Sequence, residues 1–397
     1  MDTLLHTPDG VRDIYGRECA IRTVIGDRIQ KVCLTFGFDR IETPDFEFFD
    51  VFNSSNSALS SREMYKFFDR ENNTLVLRPD FTPAVARCVS KYFHDEKHPL
   101  RFFYCGNVYR NQVNYRGSQC QSLQVGAELI GDSSIDAEVE MIVLAIECLR
   151  SAGLKDFQVE IGEVNFYRGL VEEAELTPEE DAKLLQRIEN KNTFGVEEFV
   201  DAHVKDEGLK RAFSRIPTLF GGIDKISDAA ELTQNRKALS AIDRLEKIAS
   251  IVELYGYSEY VSYDLGMLSQ HDYYTGTIFK VFSYGTGDYI VTGGRYDSLV
   301  KRFGKDTPAV GFGLHIDRLQ ETLRRQKIEV PVQPIRALII YRKRCTAEAV
   351  RRVREFRSAG ERVVADLKRP GITREEYQEY ADQIGAEELI ILNGEEA

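Results

Sequence analysis

A pair of prolines divides the chain into two stretches whose apolar residues are spaced differently, and that division limits what it can fold into. Pro331 and Pro334 bracket a short linker at 329–334. Beyond it, IRALIIY (335–341), ERVVADL (361–367) and EELIIL (387–392) read as strands, separated by helical patterns at 346–359 and 373–385. Strand and helix in strict alternation predict a small α/β module with a partly parallel sheet over 335–397. Residues 1–328 have no such alternation. Helical spacing over 17–36 is stopped by Gly37, and FDRIETPDFE then runs extended as far as Pro44. Strand-like runs follow at 74–78, 101–105 and 121–129, then a long helix at 134–151. The polar stretch at about 170–250 carries several helical patterns and few strands, as an inserted helical subdomain would. The runs 275–284 and 289–292 flank GTGD and predict a hairpin.

Composition excludes several classes of function. The N-terminus lacks a basic segment followed by an apolar run, and no stretch approaches 18 uncharged apolar residues, so neither a signal peptide nor a membrane span is expected. The seven cysteines are scattered and never spaced as CxxC, which argues against disulfides or structural zinc and for a reducing cytoplasm. Six histidines without ligand spacing give no metal site, and no cofactor is called for. The net charge of −12 weighs against a polyanionic partner, although a local basic groove would escape this measure.

Four segments carry the functional signal: REMYKFFDRENNTLVLRPDFTPAVAR (62–87), FFYCGNVYRNQ with QSLQVGAELIG (102–131), DYYTGTIF (272–279), and GGRYDSLV with TPAVGFGLHIDRL (293–319). Taken alone, GGRYD is a turn and DYYTG a strand start. In this order and spacing the four resemble the class II histidyl-tRNA synthetase catalytic core over about residues 5–325. The resemblance implies an α+β fold, an antiparallel sheet with helices, followed by a truncated anticodon-binding-like α/β module. It also makes the Pro44 segment the dimer-forming first motif.

Carried over residue by residue, the resemblance implies a pocket for the amino acid histidine. Asp80 stands where the synthetases bind the α-amino group with a glutamate, and Thr82 is retained. Arg110 matches the second-motif arginine, and Gln124 the glutamine two residues before a glycine. Glu128 matches the carboxylate that reads the imidazole, with Tyr273 and Tyr274 in the DYY string beside it. A carboxylate facing an imidazole N–H makes a charge-assisted hydrogen bond, and a buried tyrosine hydroxyl needs such a partner. Alternatively, Glu128 and Tyr274 simply satisfy each other in a core, which leaves Asp80 and Gln124 unexplained.

Departures from the synthetase pattern fall on activation chemistry. The arginine expected three residues before the DYY aspartate is Ser269, and no Lys or Arg lies between Lys247 and Lys280 to replace it. Removing one neutral donor from a site of developing charge costs about 2.7–4 kcal/mol, and losing a full charge should cost at least as much. In the nucleotide site, Gln112 and Val113 replace an acid and an arginine, Cys120 replaces a basic residue, and His315 replaces a glycine whose absent side chain leaves room. Arg318, the third-motif arginine, survives and is expected to pair with neighbouring carboxylates. In the last segment, residues 371–397 hold one basic and eight acidic groups, which disfavours tRNA, while 333–370 hold eleven basic and four acidic.

A histidyl-synthetase core with an RPDFTP string, no activation arginine and a shortened end resembles the regulatory subunits of ATP phosphoribosyltransferase. That resemblance implies a non-catalytic partner of the short-form catalytic subunit in the first step of histidine biosynthesis. Such subunits support activity and mediate feedback by histidine, as a homodimer within a hetero-octamer. Histidine would occupy the inherited pocket or the interface with the catalytic subunit. A divergent active histidyl-tRNA synthetase and a pseudo-synthetase sensor remain the alternatives.

Overall fold

The computed structural model describes residues 3–53, 60–111, 119–268, 274–285 and 287–393. It divides into two compact units, Met1–Val330 and Pro331–Ala397. The first holds strands β1 (Asp39–Arg40), β2 (Phe46–Phe48), β3 (Lys66–Phe68), β4 (Thr74–Leu77), β5 (Leu100–Tyr109) and β6 (Gln121–Ile130). It continues with β7 (Gln158–Glu163), β8 (Phe220–Gly221), β9 (Val261–Asp264), β10 (Thr277–Phe282), β11 (Val291–Arg295) and β12 (Ala309–His315).

Nine of these strands form one sheet, ordered β1-β5-β6-β12-β11-β10-β7-β9-β8. It is antiparallel, as the resemblance implies, with two parallel pairs, β1–β5 and β7–β9. β10 and β11 form the expected hairpin, with Val281 opposite Val291. Because a strand turns alternate side chains to opposite faces, β5, β6, β11 and β12 each divide their residues between two environments. Phe103, Val125, Ala127, Leu129, Val310, Phe312 and Leu314 pack into the main core with the helices Gly16–Thr35 and Ile135–Ala152. The intervening residues face the other side, toward the helix Thr82–Tyr92, whose Val85 and Val89 pack with Tyr104, Ile130 and Tyr296.

The polar stretch after β7 folds as six helices between Val164 and Leu254, interrupted by β8. Its apolar positions, among them Phe166, Leu184, Phe213 and Leu245, share the core of the sheet. A separate three-stranded sheet, β2-β4-β3, carries the segment after Pro44.

In the second unit, β13 (Ile335–Tyr341) lies between β14 (Arg362–Leu367) and β15 (Leu389–Leu392). All three strands run parallel, where only partial parallelism was expected. The helix Thr346–Ser358 covers one face through Ala349, Val353 and Phe356. The helix Arg374–Ile384 covers the other through Tyr377 and Ala381. Between the oppositely charged halves of this unit, Arg336 reaches Glu387 at 3.3 Å and Glu388 at 3.8 Å.

Candidate functional site

β6 supplies the floor of the site. Its buried face toward the helix Thr82–Tyr92 carries Gln124, Gly126 and Glu128 in alternation with the core residues Val125, Ala127 and Leu129. Strand register then fixes what lies opposite. On β12, Gly311 faces Glu128, Gly313 faces Gly126 and His315 faces Gln124. A β-carbon on Gly311 would overlap the Glu128 carboxylate, and one on Gly313 would overlap the Gln124 amide. The two glycines therefore provide the space those polar side chains occupy.

Glu128 has no solvent exposure. Three hydroxyls converge on it: Thr82 Oγ1 donates to Oε1 at 2.8 Å, Tyr104 OH reaches the same oxygen at 3.5 Å, and Tyr296 OH donates to Oε2. Burial pushes the Glu128 carboxyl up to about 8 despite the opposing pull of the Tyr296 and Thr82 hydrogen bonds. A carboxyl raised this far holds a proton near neutral pH, and a ligand that brings charge or N–H donors competes with that proton. Burial likewise raises the Tyr104 hydroxyl, with the Glu128 charge adding to it.

Asp80, Thr82, Tyr104, Arg110, Gln124, Tyr274, Tyr289, Thr292, Tyr296 and His315 line one cavity above this floor. Its volume is ≈ 540 Å³, mouth included. At its rim, Asp80 Oδ1 accepts the Thr82 backbone N–H at 3.3 Å, and Arg110 Nε donates to the Pro79 carbonyl at 3.2 Å. Tyr274 is buried with its ring against Gly294, where a β-carbon would lie 2.8 Å from it. Gln124 Oε1 is buried and has no hydrogen-bond partner among the described residues. An orphan of this kind costs about 1–3 kcal/mol, which a donor bound in the cavity would offset.

The structure thus brings Asp80, Thr82, Arg110, Gln124, Glu128 and Tyr274 to one cavity. Tyr273, Ser269, Gln112 and Val113 lie outside the described residues. His315 lines the same cavity, and burial together with Arg318 and Arg110 lowers its imidazole to about 3, so it is neutral. Arg318 is turned away, to Asp288 at 2.7 Å and the Tyr289 carbonyl at 2.6 Å, with its guanidinium over the Tyr289 ring. The buried Cys120 lies against Gly10 and Tyr65. Among the described residues, no three His, Cys, Asp or Glu side chains could share a metal ion.

Tyr104 and Tyr296 are the additions that sequence reading missed. Tyr296 lies inside GGRYDSLV, a string that taken alone reads as a turn, yet it directly follows β11 and reaches Glu128. Its signal was strand parity, since Thr292, Gly294 and Tyr296 alternate with core positions.

The family comparison matches this geometry. Residues 10–319 fit the family model for histidyl-tRNA synthetase. The chain is 39% identical over 363 residues to the ATP phosphoribosyltransferase regulatory subunit of Acetivibrio thermocellus, covering 91% of this chain and 87% of that one. The same-named protein of Ruminiclostridium cellulolyticum is 36% identical over 381 residues, 96% of this chain and 91% of the other. The chain belongs to the ATP phosphoribosyltransferase regulatory subunit family. A crystal structure from Bacillus halodurans, titled as an ATP phosphoribosyltransferase regulatory subunit/histidyl-tRNA synthetase, superposes with a TM-score of 0.88 at 31% identity and covers 99% of both chains. Histidyl-tRNA synthetase from Nostoc shares the fold, with a TM-score of 0.83 at 19% identity over 98% of this chain and 92% of that one. In this chain one third-motif position, His315, lines the cavity, while the other, Arg318, is paired with Asp288 and the Tyr289 carbonyl.

Proposed function

We propose that this chain is the histidine-responsive, non-catalytic subunit of ATP phosphoribosyltransferase, and that it acts on a short-form catalytic partner in the first step of histidine biosynthesis. The observation that carries this is the buried Glu128, held by three hydroxyls beneath a cavity where Gln124 Oε1 has no partner. That set suits a small solute with a ring N–H at one end and an ammonium at the other, as histidine has. Glu128 takes the ring N–H, Gln124 and Asp80 take the ammonium, and Arg110 at the rim takes the carboxylate.

Two features support the absence of adenylation. The neutral His315 ring occupies the cavity beside Arg110, and Arg318 is committed to Asp288 and Tyr289. A homodimer within a larger hetero-oligomer is supported by the sheet β2-β4-β3, which turns Phe46 and Phe48 outward, each more than half exposed. Glu47 between them points inward to Arg87 at 2.7 Å. That reverses the usual polarity of a surface strand, and a second copy covering this face fits the first-motif resemblance. The acidic Glu375, Glu376 and Glu379 stand exposed on the second unit and support a protein rather than a tRNA partner. The cytoplasm is the compartment that this reading requires.

Calorimetric titration of L-histidine into the chain tests the reading. Binding should weaken about tenfold to a hundredfold in Glu128→Gln, the size of a charge-assisted hydrogen bond. Affinity unchanged by that substitution would place the histidine site elsewhere on this chain, and no binding to the chain alone would leave the interface with the catalytic subunit as its site. Histidine-dependent ATP–pyrophosphate exchange by the chain alone would instead favour an active synthetase.

A further inference from the structure

The floor of the pocket is joined to the exposed phenylalanine strand by a stack of three side chains. Arg78 is buried, 3% exposed. Its Nη1 donates to the carbonyls of Thr43 at 2.8 Å and Pro44 at 3.0 Å, and its Nη2 to Asp45 Oδ1 at 2.8 Å. Nε and Nη2 also hold the Asn107 carbonyl on β5, at 3.1 and 2.9 Å. The guanidinium lies 3.8 Å from the centre of the Phe81 ring. Phe81 in turn stacks on Tyr104, centroids 4.0 Å apart and planes 10° from parallel. Tyr104 OH then reaches Glu128.

Two close approaches leave this stack little freedom. At Gly106 a β-carbon would come within 2.9 Å of the Phe81 ring and 3.0 Å of Arg78 Nη2, and at Gly126 it would overlap the Tyr104 hydroxyl. Residues 43–45, clamped at the far end, lead directly into Phe46 and Phe48. The stack is thus a contiguous packed path from the Tyr104 hydroxyl to the clamp at residues 43–45.

We propose that Arg78, Phe81 and Tyr104 are positioning residues that make the arrangement of the phenylalanine strand depend on the state of the Glu128 carboxylate. This rests on the pocket reading above for its natural effector, though the mechanical link itself does not.

Hydrogen–deuterium exchange of the full chain reads the link at the backbone amides of 45–48. In wild type, saturating L-histidine should slow these amides about fivefold or more, the lower end of an ordinary coupling. Phe81→Leu should still bind histidine by calorimetry but lose the slowing, and Phe81→Tyr, which keeps the ring, should retain it. Without any amino acid, Tyr104→Phe keeps the stack, deletes the hydroxyl, and should speed exchange at 45–48 while leaving β13–β15 unchanged. Slowing that survives in Phe81→Leu, or amides of 45–48 indifferent to Tyr104→Phe, would overturn the proposal. If wild type binds no histidine, the pocket reading fails by itself, and the Tyr104→Phe comparison still decides whether the link exists.

Discussion

Glu128 and His315 sit on facing strands of one cavity, and burial shifts them in opposite senses, each toward its neutral form. The Glu128 carboxyl is raised from 4.5 to about 8, so the folded chain keeps a proton that the unfolded chain releases. Its contribution to stability is complete below about pH 4.5 and is lost as pH rises through 8. Each pH unit is worth about 1.36 kcal/mol, and the Glu128→Gln variant should be free of that loss. Thermal melts of wild type and variant from pH 5 to pH 8 should therefore diverge, with wild type falling. For His315 the sign reverses: its imidazole is lowered from 6.5 to about 3, so stability drops as pH falls through this range. His315→Gln should be less acid-sensitive than wild type in urea titrations between pH 6.5 and 4. Equal sensitivity would mean that His315 is not held neutral in the fold.

At the level of elements, the site depends on what the two glycines of β12 leave vacant. Gly311→Ala would drive a methyl into the Glu128 carboxylate and should cost about 1–3 kcal/mol along with histidine binding, read by melts and calorimetry together. A second buried carboxylate, Glu138, holds the hairpin to the helices. It accepts from Arg295 Nη1 at 2.9 Å, Arg244 Nε at 2.8 Å and Thr277 Oγ1 at 2.8 Å. Glu138→Gln removes the charge that both arginines face and should lower stability by about 3–5 kcal/mol in denaturant unfolding.

These elements also show how much of the site could be read from sequence. The alternation of Gln124, Gly126 and Glu128 with Val125, Ala127 and Leu129 is visible by eye as a strand with one polar face. The hydroxyls of Tyr104 and Tyr296 were hidden because they reach Glu128 from other strands, and register between strands distant in sequence is not written in local spacing. The parallel pairs β1–β5 and β7–β9 are hidden for the same reason. Arg318 was expected to pair with a carboxylate, and Asp288 is that partner, although only the folded chain shows which one.

Across the whole molecule, a synthetase-like scaffold carries a buried polar cavity while its third-motif arginine is engaged with Asp288 and Tyr289. The function proposed above pairs loss of chemistry with retention of recognition, and regulation of another protein is the use it gives such a chain. Feedback then requires only that histidine favour one of two states of the complex by about 1–3 kcal/mol. The measurement that meets this claim most directly is the rate of a short-form ATP phosphoribosyltransferase catalytic subunit, assayed alone and with this chain, each with and without L-histidine. The account predicts co-purification, a higher rate with the chain present, and inhibition by histidine that is much weaker when the chain is omitted or carries Glu128→Gln. A catalytic rate and histidine response unchanged by adding the chain would contradict it.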